Sequence, residues 1–350
     1  MKKNLLIIAI LLSIIAFALF FGKKKFDSQN SVPDVQNEVL ESEFNYKNNM
    51  RMLAYKDGII IYDGRQLCYK NEKFENKFDI SIKCDSFVLK TSQDDSILLL
   101  DKPGKILYKI DSSGNVISQT KFMENGVDVY PLKNSYVILH YNTDVKTDGL
   151  IIYKPDLQSV NNISYPNGLV NAVTYDEWAK KIYVSVQLLD YTKVINAIYS
   201  YNEKYEVEEI KQFQNLVTTD MIVTGSHILI SDPQTVYVMD KTLSATGKID
   251  AQDSFSNVAE VEGKLYLQDG GKIVRVMNKD ANLIEEMAFD EPVEKICFAG
   301  TEPVFLGKNF VKYKDEKTDI KRDIMQSAIT KDKKLILLSR NSYTVLNLKK

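Results

Sequence analysis

The stretch from Ser96 to Phe122, SILLLDKPGKILYKIDSSGNVISQTKF, decides the fold. It holds three short apolar runs. Lys102-Pro103-Gly104 separates the first two, and Asp111-Ser112-Ser113-Gly114-Asn115 separates the last two. Pro and Gly preset turn dihedrals, and Asp and Asn bond their own backbone, so both separators predict tight turns. Runs of about five residues rich in Ile, Leu and Tyr between such turns predict β-strands.

The same order recurs along the chain. DGIIIYDGRQLCYKNEKFENKFDISI begins at Asp57, and SYVILHYNTDVKTDGLIIYKPDLQSVNNISY begins at Ser135. Further copies begin at Lys181, Ser226 and Gly263. A shortened one begins at Glu302, and a last one at Lys333 stops after its second strand. Each copy follows another apolar run: RMLAY, SFVLKT, VDVYPL, VNAVTY, DMIVTG, SNVAEVE, EKICFAG or MQSAIT. The unit therefore has four strands, and it repeats eight times at intervals of roughly 30 to 50 residues. No long amphipathic helix interrupts the series; Tyr175 to Lys181 could form a turn or two at most.

A lone four-stranded sheet leaves both apolar faces in water, so repeated sheets must stack around an axis to bury them. The predicted fold is all-β, a β-propeller of four-stranded blades. Eight blades are expected, or seven if the shortened Glu302 copy is not a blade of its own. The last blade, 323–350, lacks an outer strand. The segment 37–46, NEVLESEFNY, has no other sheet to join, so it is expected to supply that strand and close the ring over 37–350. Closure would cover edges that otherwise template aggregation.

Residues 1–25 read differently. Leu5 to Phe21 is apolar apart from Ser13 and lies between Lys2-Lys3 and Lys23-Lys24-Lys25. As a helix it would span roughly 26 Å, close to the thickness of a bilayer core. It has no polar face, so the expected partner is the lipid bilayer, with the segment as a signal-anchor. Ala16-Phe17-Ala18 has the small-x-small form of a cleavage site, but Leu19-Phe20-Phe21 carries the apolar run past it. The flanking lysines do not fix orientation. A short Lys-Lys start followed by an apolar run is the form that export takes, which predicts a single-pass protein of the cell membrane with an extracytoplasmic propeller. Residues 26–36, FDSQNSVPDVQ, are a polar linker.

Composition removes several classes of function. Of 350 residues, 45 are basic and 47 acidic without long blocks of either sign, so no nucleic-acid surface is expected. Cys68, Cys84 and Cys297 are too few and too scattered for a disulfide framework or a zinc site, and buried, inert thiols are expected.

The hairpin ILYKIDSSGNVI, Ile106 to Ile117, ends a strand in Asp before a Gly-Asn turn. In this it resembles the repeats of PQQ-like and WD40-like bacterial propellers. With the apolar N-terminus, the chain resembles the N-terminally anchored propeller proteins of Firmicutes, a family of unknown function. That resemblance implies a membrane-tethered propeller. Many PQQ-like repeats use Trp as a docking residue; this chain has only Trp178, and no cofactor is expected.

Residues able to carry chemistry are sparse. His140 and His227 lie on different blades and make no His-rich metal site. Asp111 to Asn115 lacks the spaced carboxylates and terminal Glu of a calcium loop and reads as a turn. Ser226 and His227 adjoin, but neighbours on a strand point to opposite faces, so no nucleophile–base pair is expected. Asp128, Asp220 and Glu294, near the starts of inner strands, are the carboxylates on which glycoside-cleaving chemistry in the channel mouth would draw. Ser92-Gln93-Asp94-Asp95 does not match the Asp-box of sialidases, and no phosphate-binding loop occurs. The Tyr-rich run Ala197 to Tyr205, AIYSYNEKY, is expected to pack between blades, with an exposed binding patch as the alternative. No catalytic, cofactor or metal site is therefore expected. The expected function is a non-enzymatic scaffold for a protein or envelope partner; the alternative is an envelope hydrolase, lyase or quinone-type oxidoreductase with its site in the channel.

Overall fold

The computed structural model describes residues 38–40, 49–189 and 193–348. The apolar segment Leu5 to Phe21 and the linker 26–36 lie outside the described residues. Among the described residues there are eight antiparallel four-stranded sheets and no α-helix.

Seven blades are consecutive in the chain: 51–81, 87–121, 125–165, 168–214, 220–250, 255–288 and 293–319. The eighth takes three strands from 326–347, with Glu38–Leu40 beside Tyr343–Asn347 as its fourth. The shortened copy at Glu302 is a full blade, whose four strands run from Val293–Ala299 to Glu316–Asp319. The first strands of successive blades meet around the axis, and Gln326–Ile329 of the eighth returns to Arg51–Tyr55 of the first. The architecture is an eight-bladed β-propeller.

Burial explains the repeated sequence pattern. Second strands such as Gly58–Tyr62 and Ile97–Asp101 are buried at every position. Each lies between two neighbouring blades, so both of its faces need apolar side chains and no alternation appears. Fourth strands such as Asn76–Ser81 and Val116–Lys121 are exposed at alternate positions, because only one end of the blade is packed. The core is accordingly a series of interblade layers. One joins Ile60, Tyr62 and Leu67 of the first blade to Leu89, Ile97 and Leu99 of the second. The layer that closes the ring joins Met52, Ile59 and Ile61 to Ile336, Leu338 and Tyr343.

The turn quoted at the outset also recurs. Asp111 Oδ1 accepts the amide N–H groups of Ser113 and Asn115. Asn71, Asn202, Asp240 and Asn278 accept the corresponding pairs in four other blades. The fourth residue of each turn has a positive φ: Phe74, Gly114, Tyr205, Leu243 and Ala281. Leu157 holds the same place in the third blade. Side chains there reach into the layer shared with the preceding blade. Leu243 is fully buried between blades four and five, and Phe74 packs on Tyr343 of the eighth blade. In the second blade Gly114 takes this place, and Phe78 of the first blade lies where its Cβ would be.

Antiparallel order gives the disc two unlike faces. The turns joining first to second and third to fourth strands form a hairpin face. The turns joining second to third strands, together with the links between blades, form a connector face. On the hairpin face, Lys109 Nζ is 2.9 Å from Asp94 and bonds Pro155 O of the next blade. There too, Lys241 of the fifth blade is 2.7 Å from Asp176 of the fourth. Gln93 bonds Glu177, and Lys331 lies 3.7 Å from Asp95, so turns of non-adjacent blades meet there.

Candidate functional site on the connector face

Four first strands carry a β-bulge at the same place, close to where they start at the connector face. The extra residues are Val127, Asn171, Ser256 and Glu294. A bulge breaks the alternation of the pleat, so neighbouring side chains can face the same side. Glu294 and its neighbour Lys295 are both exposed as a result.

Glu294 borders a pocket of 290 Å³ across blades seven, eight and one. Met52, Leu306, Ile324 and Met325 form its apolar wall, and Lys295, Gln326 and Ser327 its polar one. Lys295 Nζ reaches Ser327 Oγ at 3.1 Å, and Gln326 is held by Met50 O and Met52 N across the ring closure. Lys308 and Asp323, which adjoin the lining residues Gly307 and Ile324 in the chain, pair at 3.2 Å.

A second polar group stands farther round the channel. Lys90 of the second blade is 3.7 Å from Asp128 of the third and lies over the Tyr130 ring. Burial, with the Asp128 and Asp220 carboxylates nearby, raises the Tyr130 hydroxyl well above its ordinary range. The structure thus sets Asp128 beside Lys90 and Tyr130, with the Asp220 charge within electrostatic reach of the tyrosine, and places Glu294 at a separate pocket. Nothing in the sequence spacing shows this grouping, because three different blades supply it.

The connector face also carries exposed apolar side chains: Met123, Val127, Val145, Leu169, Val194, Val217 and Met325. Met123 is 83% exposed, in the link between blades two and three. Among the described residues, Trp178, 88% exposed, stands in a turn of the hairpin face, and Val116, Val207 and Leu283 open outermost strands directly after its turns. The remaining exposed apolar residues lie on outermost strands at the rim.

Other sequence candidates resolve individually. His140 is buried at the interface of blades two and three, with Nε2 3.4 Å from Asn162 Oδ1, and burial lowers its pKa. Gly149, directly opposite on the next strand, leaves the space that the imidazole fills. Ser226 and His227 do not lie on a strand. They belong to the turn between Asp220–Val223 and Ile228–Ser231, so alternation does not separate them, and Ser226 Oγ is 2.7 Å from His227 Nδ1. No carboxylate hydrogen-bonds the imidazole to orient it as a base among the described residues; Asp240 accepts from Thr242 and Ser244 through Oδ1 instead. The tyrosines of Ala197 to Tyr205 pack inward. Tyr201 is buried and its hydroxyl is 2.9 Å from that of Tyr165, while Tyr199 and Tyr205 pack on the same layer between blades three and four. All three cysteines are free, and burial raises each thiol to about 11. Among the described residues no group of three or more His, Cys, Asp or Glu side chains could hold a metal ion.

The eight-bladed ring places the chain in the propeller class. No protein-family model matches it, and no curated protein matches its sequence. Solved structures do. BamB from Moraxella catarrhalis is similar with a TM-score of 0.60 at 8% identity, covering 88% of this chain and 99% of that one. Sqt1 from Saccharomyces cerevisiae is similar with a TM-score of 0.63 at 8% identity, covering 89% and 100%. The dihydro-heme d1 dehydrogenase NirN, in complex with DHE, is similar with a TM-score of 0.59 at 11% identity, covering 88% and 76%. Identities this low establish a shared fold and nothing finer.

Proposed function

We propose that the chain is a non-enzymatic binding module that docks a protein partner on its connector face. The observation that carries this reading is the gathering of exposed apolar side chains in the links and inner strands of that face. Six of them, from Met123 to Val217, come from blades two to five or the links between these, whereas toward the opposite face the exposed apolar residues described are Trp178 and the first residues of outermost strands at the rim. Exposed apolar groups gathered on one face mark interaction surfaces, whereas single ones need no explanation. A similar propeller, BBS1N, was solved in complex with ARL6DN, which shows the fold in this use.

The apolar N-terminal segment supports the further proposal that Leu5 to Phe21 tethers the propeller to the cell membrane. The propeller then lies outside the cytoplasm, as in the anchored PQQ-like propellers of Firmicutes that the chain resembles. A protease added to intact, wall-stripped cells is expected to remove a C-terminal tag while a cytoplasmic marker survives. A tag that survives until the cells are lysed places the propeller inside.

The docking reading is tested by photo-crosslinking in cells from single positions. A photoreactive residue at Met123 or Leu169 is expected to give discrete protein adducts, and one at Trp178 none. Adducts from neither connector position, or the same adducts from all three, would count against it. One observation favours an enzyme instead: Lys90, Asp128 and Tyr130 meet on the inner strands, with the Asp220 charge in electrostatic reach, and a similar propeller, NirN, is a dehydrogenase. Substitution of Asp220 that leaves every crosslink and the cellular phenotype unchanged sets that alternative aside.

A further inference from the structure

His140 is a titratable group buried close under the connector face. It is 3% exposed and stands near the end of the second strand of blade three, Tyr136–Asn142. Both of its cross-strand neighbours are glycines, Gly126 on the first strand and Gly149 on the third. A β-carbon on Gly149 would lie 2.5 Å from the imidazole Nε2, and one on Gly126 would lie 2.9 Å from the Phe122 ring. The two glycines thus make room for two rings. Phe122 is buried in the layer between blades two and three, and the next residue, Met123, is 83% exposed. The link 122–124 between these blades is therefore pinned from beneath by Phe122 and presents Met123 to a partner. Lys105 of blade two holds it as well, through its carbonyl to Phe122 N and its ammonium to Met123 O.

The imidazole is poorly provided for as a cation. Nε2 meets the Asn162 amide, and Nδ1 has no hydrogen-bond partner among the described residues. The charges that act on it are Glu124 from the link and Asp148 from the third strand, and Asp148 is committed to Val170 N of blade four. A neutral imidazole has one donor and one acceptor, whereas the protonated ring has two donors. Protonation therefore puts a charge into an apolar layer and leaves Nδ1–H with nothing to donate to. Burial accordingly holds the His140 pKa below its ordinary 6.5. The unfolded chain takes the proton first, so stability is full above pH 6.5 and is lost as pH falls through it toward the lowered value. The nearest relief is at the link, where lifting 122–124 admits water to Nδ1 and lets Glu124 approach. We propose that the connector face is acid-sensitive through His140: on taking up a proton it displaces the link 122–124, and Met123 leaves the position in which a partner docks. The proposal rests on the docking reading and adds its regulation.

The test uses the full chain in detergent, carrying 15N-imidazole histidine and 13C-methyl methionine, titrated by NMR from about pH 7.5 to about pH 5. The chain has two histidines, so His227→Gln assigns both sets of signals. The His140 signals are expected to titrate with a midpoint below 6.5, and the Met123 methyl to move with that same midpoint. In His140→Gln, which cannot take up the proton, the Met123 methyl is expected to stay still. If that variant does not fold, agreement of the two midpoints in the unsubstituted chain still decides. A His140 midpoint at or above 6.5, a Met123 methyl that does not follow it, or movement of Met123 that persists in His140→Gln overturns the proposal. Docking is read by crosslinking from Met123 in permeabilised cells. About one pH unit below the His140 midpoint roughly a tenth of the chain is neutral, so partner adducts are expected to fall about tenfold. Adducts as strong in acid as at neutral pH overturn the switch and keep the docking face. No adducts from Met123 or Leu169 at neutral pH discard the face itself, whatever the titration shows.

Discussion

At the scale of residues, the repeated turn shows how one position serves both backbone and packing. Its fourth residue sits in the left-handed region, where a β-carbon is strained, yet five of six blades place a larger side chain there. What offsets the strain is burial: Leu243 and Leu157 are almost wholly enclosed in the layer they share with the preceding blade. Gly114 inverts the arrangement. Its φ is +88°, and a Cβ there would come within 2.8 Å of the Phe78 ring. Gly114→Ala is therefore expected to destabilise by about 2 kcal/mol or more, lowering the urea midpoint without changing the m-value. An unchanged midpoint would show that Phe78 can swing aside at little cost. The turn itself was legible in Asp111 to Asn115, because Asp and Asn at its first position announce the backbone bonds they make. The role of its fourth residue was not, since Phe, Leu, Tyr and Ala share no signal and acquire one only from the neighbouring blade.

At the scale of elements, ionic contacts tie blades together on the hairpin face. Asp176 is buried and accepts from the amides of Trp178 and Ala179, and Lys241 of the next blade lies 2.7 Å away. Burial works against its ionisation, but the hydrogen bonds and the Lys241 charge prevail and hold its carboxyl below its ordinary 3.8. A folded-state value below the unfolded one gives stability that is present above pH 3.8 and is lost as pH falls through the lowered value. Lys241→Met leaves this carboxylate buried without its counter-charge, at a cost of about 2–3 kcal/mol. The gap between the two proteins in denaturant midpoint is expected to be full at neutral pH and to shrink as the pH falls into the acid range, because Asp176 in the variant has lost the charge that favours its ionised form and protonates at higher pH than in the unsubstituted protein. A gap that stays constant across that window would mean that Lys241 acts through packing alone. Strand positions were plain from apolar runs and turn residues. The pairing of Lys241 with Asp176, or of Lys90 with Asp128, had no sequence signature, because partners on neighbouring blades stand at separations that vary with every turn length.

At the scale of the whole molecule, the ring has a seam where chain-distant segments meet. Glu38–Leu40 forms the outer strand of the eighth sheet. Gln326 is bonded to Met50 and Met52, and Lys334 reaches Glu72 at 2.8 Å. A chain beginning at Lys47 keeps those bonds but is expected to melt several degrees below one beginning at Asn37, since it leaves the edge of Tyr343–Asn347 unpaired. Equal melting temperatures would mean that the fourth strand of that blade contributes nothing to closure.

The sequence by itself determined the blade. Four strands per unit follow from turn residues that act locally, and repetition gave a ring of eight blades or seven, because a sheet apolar on both faces has to be stacked; the structure decided for eight by making the shortened copy at Glu302 a full blade. Only the tertiary structure decided which residues share a site. Closing the ring set Lys90 beside Asp128 and Tyr130, put Glu294 beside Met52 and Met325, and turned the tyrosines of Ala197 to Tyr205 inward. Each of these depends on the angle between blades, and that angle is set by side chains packing across interfaces between segments tens to hundreds of residues apart.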